Sequence, residues 1–210
     1  MIINYLGCES VKVQFGDITL AFNPVSKDSK LKASKYGADI VLSSINHPDM
    51  NGVDQVSFGE KKPFAVTSPG EYEIKGVFIK GLSSTSAYDG ENRINTIFSV
   101  NLEGMNICFL GAINQTELPT EADEAIDDVD ILFVPIGGNG VLDAAKAYKL
   151  AVAIAPKIII PIHYGEIGSP DALKAFLKEA GENKEPVVKL TLKKKDLEGK
   201  EAEVVVLASE

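Results

Sequence analysis

Short apolar stretches separated by turn residues dominate the first half of the chain. Val11–Phe15 and Ile18–Phe22 flank Gly16-Asp17, and this pattern predicts a β-hairpin. Ile2–Leu6 precedes them as a further strand, and Asp39–Ser43 is typical of a buried strand that leads into a polar loop. Other strands are predicted at Phe64–Thr67, Glu71–Lys75, Val77–Lys80, Thr96–Leu102 and Asn106–Leu110.

The second half alternates between predicted strands and predicted helices. Ile131–Pro135 and Ile158–Ile162 are wholly apolar, as in strands whose sheet is covered on both faces. Glu117–Ile126 and Leu142–Ala155 are predicted helices, the second because alanine and leucine recur at helical spacing. The order of the elements therefore predicts an α/β domain in which helices cover the outer faces of two stacked sheets.

The last part of the chain carries clear boundary signals. Ser169-Pro170-Asp171 predicts the start of a helix, with Ser169 as the N-cap, and Gly181 predicts its end. Pro186–Leu192 and Ala202–Ala208 predict a terminal hairpin whose tip is the lysine-rich turn at residues 193–195.

Composition excludes several classes of function. The 210 residues, 45% of them hydrophobic, predict a single domain over residues 1–210. The two cysteines, Cys8 and Cys108, and the lack of a secretory leader predict a cytoplasmic protein, and no apolar run is long enough to span a membrane. A net charge of −9 disfavours nucleic acid as a partner. Two histidines in the whole chain exclude a site built on a cluster of imidazoles.

Five stretches of sequence, taken in order, resemble the metallo-β-lactamase superfamily. They are INYLGCES, ITLAFNP, ADIVLSSINHPDMNG, PGEYEIKGVFIKG and the strand-rich series NTIFSVNLEGMNICFLGAI, DVDILFVPIGG and PKIIIPIHYG. The most similar branch is the cytosolic Zn-dependent hydrolases related to L-ascorbate-6-phosphate lactonases. The resemblance implies a four-layer αββα sandwich and, by descent, a hydrolase with two metal ions.

The same resemblance implies that most of the metal ligands are replaced. In the family, the loop after the Asp39–Ser43 strand supplies His, His, Asp and His, and the matching residues here are Ile45, His47, Asp49 and Met50. The next family histidine would fall near Ser86–Tyr88, the bridging aspartate matches Ala112, and the last histidine is retained as His163. Two further motif positions are changed, since the family's early histidine matches Cys8 and the aspartate of its Asp-Pro pair matches Asn23.

The surviving candidate metal ligands are therefore His47, Asp49 and His163, with Asp49 also the candidate catalytic residue. In the family, His47 belongs to the first metal, whereas Asp49 and His163 belong to the second. Our preferred interpretation is an eroded site, weakly active or non-catalytic, that needs no cofactor and binds a small molecule or a protein. The alternative is an active hydrolase in which the three residues hold one zinc ion and leave a position for water.

Two further hypotheses concern residues near this site. Cys8 and His163 could form a nucleophile–base pair in a metal-free hydrolase, although Cys8 as a small buried residue is the simpler interpretation. Residues 137–140, Gly-Gly-Asn-Gly, lack the spacing of a phosphate-binding loop and predict a tight turn. Tyr88, Asp89, Glu91 and Arg93 lie in a loop that borders the cleft in the family, so they are candidates for ligand contact. Relatives often assemble, so a homo-oligomer is an expectation by analogy alone.

Overall fold

The computed structural model describes residues 1–60 and 62–209. In chain order, its strands are β1 (Ile2–Tyr5), β2 (Val11–Phe15), β3 (Ile18–Phe22), β4 (Ile40–Leu42), β5 (Phe64–Val66), β6 (Gly70–Ile74), β7 (Val77–Ser86), β8 (Arg93–Leu102), β9 (Met105–Phe109), β10 (Ile131–Pro135), β11 (Ile158–Ile162), β12 (Leu190–Thr191) and β13 (Glu203–Val204). The α-helices are α1 (Thr120–Ala125), α2 (Ala144–Ile154) and α3 (Ala172–Glu179), and short 3-10 helices cover Val53–Val56, Tyr88–Gly90 and Lys194–Leu197.

Two mixed sheets pack face to face. The first sheet has the order β12-β1-β2-β3-β4-β5, and the second has the order β13-β11-β10-β9-β8-β7-β6. Phe22 of the first sheet stacks on Phe109 of the second with 4.9 Å between ring centroids, and Phe133 adjoins both. Tyr148 of α2 contacts Phe176 of α3 edge-on on the outer side of the second sheet. The structure therefore confirms the expected α/β sandwich.

The strands β2, β3, β10 and β11 match their predicted bounds. Both β7 and β8 are longer than predicted, because they pair antiparallel over nearly their whole length, from Phe78↔Asn101 to Ser86↔Arg93. This long ribbon carries the connecting loop, which includes Tyr88, to the mouth of the sandwich. Within the described ranges, no helix is both long and apolar enough to cross a membrane.

The predicted C-terminal hairpin is wrong. Strand β12 pairs antiparallel with β1 in the first sheet, whereas β13 pairs parallel with β11 in the second. Residues 193–195 accordingly lead into the 3-10 helix Lys194–Leu197 instead of forming a hairpin tip. Each terminal strand covers an open sheet edge, where unpaired backbone groups would otherwise remain.

The predicted N-cap of the third helix is also wrong. Helix α3 begins at Ala172, with Asp171 in the N-cap position and no side-chain capping bond. The Ser169 amide instead donates to the Gly137 carbonyl, 2.8 Å away, which ties this turn to the loop that follows β10. The tertiary contact thus displaces the helix start that local sequence favours.

Candidate functional site

The site residues lie at one end of the sandwich, where strands of both sheets end. We call this end the mouth of the sandwich. Glu9 follows β1, Asn23 follows β3 and Ser44 follows β4, all in the first sheet. Tyr88 follows β7 and His163 follows β11, both in the second sheet. Polar side chains gathered at strand ends from both sheets are the usual setting of a functional site in an α/β protein.

A buried polar network holds His163 in place. His163 Nδ1 lies 2.7 Å from Glu9 Oε1, and the two side chains are only 1% and 0% exposed. Asn23 Nδ2 donates to Glu9 Oε2 and to Ser44 Oγ, each at 2.8 Å, while Asn23 Oδ1 accepts from the Ser44 amide. A fully buried carboxylate is costly unless it is paired, and here each of its oxygens has a partner.

The backbone fixes His163 as firmly as its side chain does. Its φ is +63°, an unusual conformation for a residue with a side chain, and its amide donates to the Cys8 carbonyl at 2.7 Å. Among residues 1–60 and 62–209, nothing hydrogen-bonds its other ring nitrogen, the buried Nε2. His163 therefore offers one occupied nitrogen and one unoccupied nitrogen.

His47 and Asp49 form a separate arrangement in the loop after β4. The Asp49 amide donates to His47 Nδ1 at 3.2 Å, and the Asp49 carboxylate accepts from Ser29 Oγ at 2.5 Å and from the Tyr88 hydroxyl at 2.7 Å. His47 Nε2 lies 3.5 Å from the carboxylate of Asp89, which is largely exposed. The Asp49 carboxylate is thus engaged by two hydroxyl groups.

Tyr88 separates the two histidines. Its ring contacts His47 edge-on at 5.0 Å between centroids and His163 edge-on at 5.3 Å. The same ring belongs to a compact apolar cluster whose other buried members are Cys8, Val25, Ile45, Met50, Ala112 and Val141. Three of the positions that the resemblance assigns to metal ligands, Ile45, Met50 and Ala112, are therefore buried in apolar packing around Tyr88.

Tyr88 also divides the mouth of the sandwich into two clefts. The His163 cleft has a volume of about 750 Å³ and is lined by Tyr88, Asp89, Asn139, Gly140, His163 and Glu166 among others. The His47 cleft has a volume of about 390 Å³ and is lined by Ser29, Lys30, His47, Asp49, Tyr88 and Asp89 among others. Tyr88 and Asp89 line both clefts, whereas each histidine lines only one of the two. The structure brings His47 and Asp49 together and places His163 on the other side of Tyr88.

The chemistry of the donor set does not fit a dinuclear metal centre. Ile45 and Ala112 offer no side-chain donor, and the Met50 thioether is a soft ligand unlike the imidazole it replaces. Over residues 1–60 and 62–209, no three His, Cys, Asp or Glu side chains are grouped as a metal ion would require. A feature that does fit a metal is His163, because a carboxylate on Nδ1 is the usual way to orient a metal-binding imidazole.

Cys8 is poorly suited to act as a nucleophile. Burial raises the pKa of its thiol well above the ordinary value, and the neighbouring Glu9 and Asp49 raise it further. The thiol form is therefore favoured over the reactive thiolate. Its proposed base, His163, already directs Nδ1 to Glu9. The local electrostatics thus favour the interpretation of Cys8 as a small buried residue.

The glycine-rich loop at residues 137–140 is a close-packed wall. A Cβ on Gly137 would lie 2.4 Å from the His163 carbonyl oxygen, and a Cβ on Gly140 would lie 2.3 Å from the Ala87 carbonyl oxygen. Gly138, Asn139 and Gly140 have positive φ, which agrees with the tight turn predicted from the sequence. The loop packs its backbone against both His163 and the segment that carries Tyr88.

The sequence did not indicate the role of Glu9, nor the position of Tyr88 between the two histidines. Glu9 was hidden because its partner His163 lies 154 positions further along the chain. The available signal is an acidic residue in the turn after the first strand, next to Cys8 at the position of the family's early histidine. Tyr88 was named as a loop residue that borders the cleft, but its place between the histidines depends on the length of β7 and β8.

Comparisons with known proteins agree with this fold. A family model described as the beta-lactamase superfamily domain matches residues 2–163. The chain belongs to the metallo-β-lactamase superfamily. A UPF0173 metal-dependent hydrolase of Thermoplasma acidophilum is 26% identical over 190 residues, covering 79% of this chain and 83% of the relative. One from Carboxydothermus hydrogenoformans is 28% identical over 194 residues, covering 78% and 84%.

A solved structure from Thermotoga maritima extends the likeness to the superfamily over the whole chain. That protein, described as a Zn-dependent hydrolase of the metallo-β-lactamase superfamily, superposes with a TM-score of 0.79 at 27% identity. The match covers 100% of this chain and 99% of the other. The relatives are thus named for metal-dependent hydrolysis, while the donor set of this chain departs from a two-metal site.

Proposed function

We propose that this member of the metallo-β-lactamase superfamily does not perform dinuclear metal hydrolysis and uses the mouth of its sandwich to bind a small molecule. The observation that carries the proposal is the position of Tyr88, whose hydroxyl donates to Asp49 at 2.7 Å while its ring contacts both histidines. A phenol here supplies the contact to Asp49 and the packing between the two sides of the mouth.

The replaced ligand positions support the same proposal. A cluster of carboxylates and imidazoles is costly to bury without a cation, so loss of a metal favours apolar replacements. Ile45 is 2% exposed, and Met50 and Ala112 are 0% exposed, so these replacements now contribute to packing. Retention of only some donors gives neither of the two ions a full set of ligands.

The test measures metal content and metal-dependent stability. Protein purified without chelators is expected to hold strongly substoichiometric zinc, iron and manganese, and EDTA is expected to leave its Tm unchanged. A matched variant, Ile45→His, Met50→His, Tyr88→His and Ala112→Asp together, restores donors at the family positions. This variant is expected to bind metal and to gain Tm on adding zinc. One or more equivalents of metal in the wild-type protein would overturn the proposal.

A single metal held by His47, Asp49 and His163 is the second candidate. The observation that favours it is the unoccupied Nε2 of His163, whose other nitrogen is oriented by Glu9. These three residues would be the ligands, and the chemistry supplied would be a bound water of lowered pKa. Tyr88 would first have to leave the space between the histidines. Zinc binding by wild-type protein that His163→Gln abolishes would support this candidate against the first.

A further inference from the structure

We propose that the His163 cleft binds a small primary ammonium compound, with His163 Nε2 as the acceptor at its floor. The inference rests on the proposed function, because a metal ion on His163 would take the same lone pair. Three properties of the cleft point to this class of ligand, namely an acceptor without a partner, an acidic rim and an aromatic wall.

The first property is the free acceptor. Glu9 is the paired carboxylate on Nδ1, and with Glu9 ionised this nitrogen carries the proton and donates to it. Nε2 then keeps its lone pair and accepts hydrogen bonds. His163 lines the cleft whereas Glu9 does not, and Nε2 is the ring nitrogen that Glu9 leaves free. Among residues 1–60 and 62–209, Nε2 has no hydrogen-bond partner.

The second property is the charge of the rim. Asp89 and Glu166 are exposed carboxylates that line the cleft, and no lysine or arginine is among the described residues of the lining. A chain of net charge −9 adds to this negative potential. The rim therefore repels phosphorylated and carboxylated ligands and attracts a cation.

The third property is the ring of Tyr88, which lines the cleft and covers the His163 imidazole. Its ring lies edge-on to the imidazole and lines the cleft, so a ligand reaches Nε2 when this ring turns aside. The bond from its hydroxyl to Asp49 holds the ring in place. A displaced tyrosine ring still offers its face to an ammonium group, an arrangement that is favourable for cations.

The probes are ethanolamine, ethylene glycol and glycolate, which are small molecules that carry a positive, zero and negative charge. Metal-free protein with ¹⁵N-labelled histidine is titrated with each at low ionic strength, since exposed carboxylates are screened by salt. The chain has only two histidines, so a His47→Gln variant assigns the remaining imidazole signals to His163. Ethanolamine is expected to displace the Nε2 signal of His163, and the other two probes are expected to leave it in place.

Matched variants sharpen the result. Asp89→Asn with Glu166→Gln is expected to weaken ethanolamine binding about tenfold, whereas Asp17→Asn, at an exposed hairpin tip, is expected to change it little. Tyr88→Phe releases the ring from Asp49 and is expected to tighten binding about fivefold. His163→Gln is expected to abolish binding, and the rim variant decides the matter if that protein does not fold.

The outcomes separate the inference from the proposed function. Metal-free wild-type protein that gives no ethanolamine response, or responds equally to all three probes, overturns the ammonium site alone. Wild-type protein that carries a metal ion on His163 overturns the proposed function and, with it, this inference. A response to ethanolamine that survives the rim variant unchanged contradicts the role assigned to the carboxylates.

Discussion

The two histidines on either side of Tyr88 differ in their burial and in the hydrogen-bond partner of their Nδ1 atom. His163 is fully buried, and its Nδ1 is matched to a buried carboxylate that was brought from the other sheet. His47 lies in a loop, and its Nδ1 accepts from the amide of Asp49 only two residues away. One imidazole is thus held by the tertiary structure, and the other by a local turn.

This difference shows how, at one site, one histidine can be easy to replace while the other is hard to replace. A loop histidine with local partners can be kept or lost at small cost to stability. A histidine paired with a buried carboxylate cannot be lost alone, because its partner would then be left as an uncompensated buried charge. The buried pair with Glu9 therefore holds His163 in place, whichever ligand its Nε2 receives.

The largest effect is expected from Glu9→Ala. This change leaves His163 Nδ1 and Asn23 Nδ2 without their carboxylate partner in a fully buried place. The expected loss is about 3–5 kcal/mol in the free energy of unfolding, because two buried donors lose their acceptor and the missing side chain leaves a cavity. Urea denaturation with a constant m-value measures it.

The matched change on the other side is His47→Ala. Its one hydrogen bond comes from the Asp49 amide two residues away, and its Nε2 faces the exposed carboxylate of Asp89, so the expected loss is about 1 kcal/mol or less. Equal losses for the two variants would contradict the distinction between the tertiary and the local histidine. Glu9→Gln, which retains one acceptor and the shape of the side chain, should fall between them.

A smaller loss is expected from Gly137→Ala, which presses directly on His163. The added Cβ would meet the His163 carbonyl oxygen at 2.4 Å and its ring Cδ2 at 2.5 Å. One of the two segments must move, at a cost of about 2–3 kcal/mol. Thermal unfolding measures the loss, and the His163 imidazole signals should move while those of His47 stay in place.

The neighbouring glycine provides the control. Gly138 has a φ of +68°, and a Cβ there would meet nothing within 4 Å. Gly138→Ala should therefore show only the backbone cost of about 1 kcal/mol, without displacing the His163 signals. If the two variants perturb His163 alike, the contact with Gly137 does not position the imidazole.

Local sequence predicted the strands better than it predicted the site. The bounds of β2 and β3 follow from alternation broken by Gly16-Asp17, and those of β10 and β11 follow from apolar runs, so they need no distant partner. The terminal hairpin failed because both of its segments have β character. Only the free edges of two different sheets determine where each one pairs.

The arrangement of the site was harder to predict from the sequence than the strands were. The resemblance located His47, Asp49 and His163 at one mouth, and the structure brings all three there. It could not show that Tyr88 separates them, because that depends on how β7 and β8, ten residues each, pair with one another. Nor could spacing reveal Glu9, whose contact with His163 exists only after both sheets have formed.

A small effect at neutral pH is also expected from Tyr88→Phe, whose ring contacts both histidines. Loss of the hydroxyl bond to Asp49 should cost about 1 kcal/mol.

Burial raises the pKa of Tyr88 above its ordinary value of 10.0, and Cys8 and Asp49 raise it further. The folded protein therefore keeps this proton at a pH where the unfolded chain releases it, and stability falls as pH rises above about 10. Each such tyrosine contributes about 1.4 kcal/mol per pH unit, so between about pH 10.5 and 11.5 Tyr88→Phe should lessen the decline by that amount. Urea denaturation at a series of alkaline pH values measures the decline, and Tyr5→Phe, at another buried tyrosine of raised pKa, is the comparison. An unchanged slope in Tyr88→Phe would mean that Tyr88 ionises freely in the folded protein, and hence that it does not close the space between the two histidines.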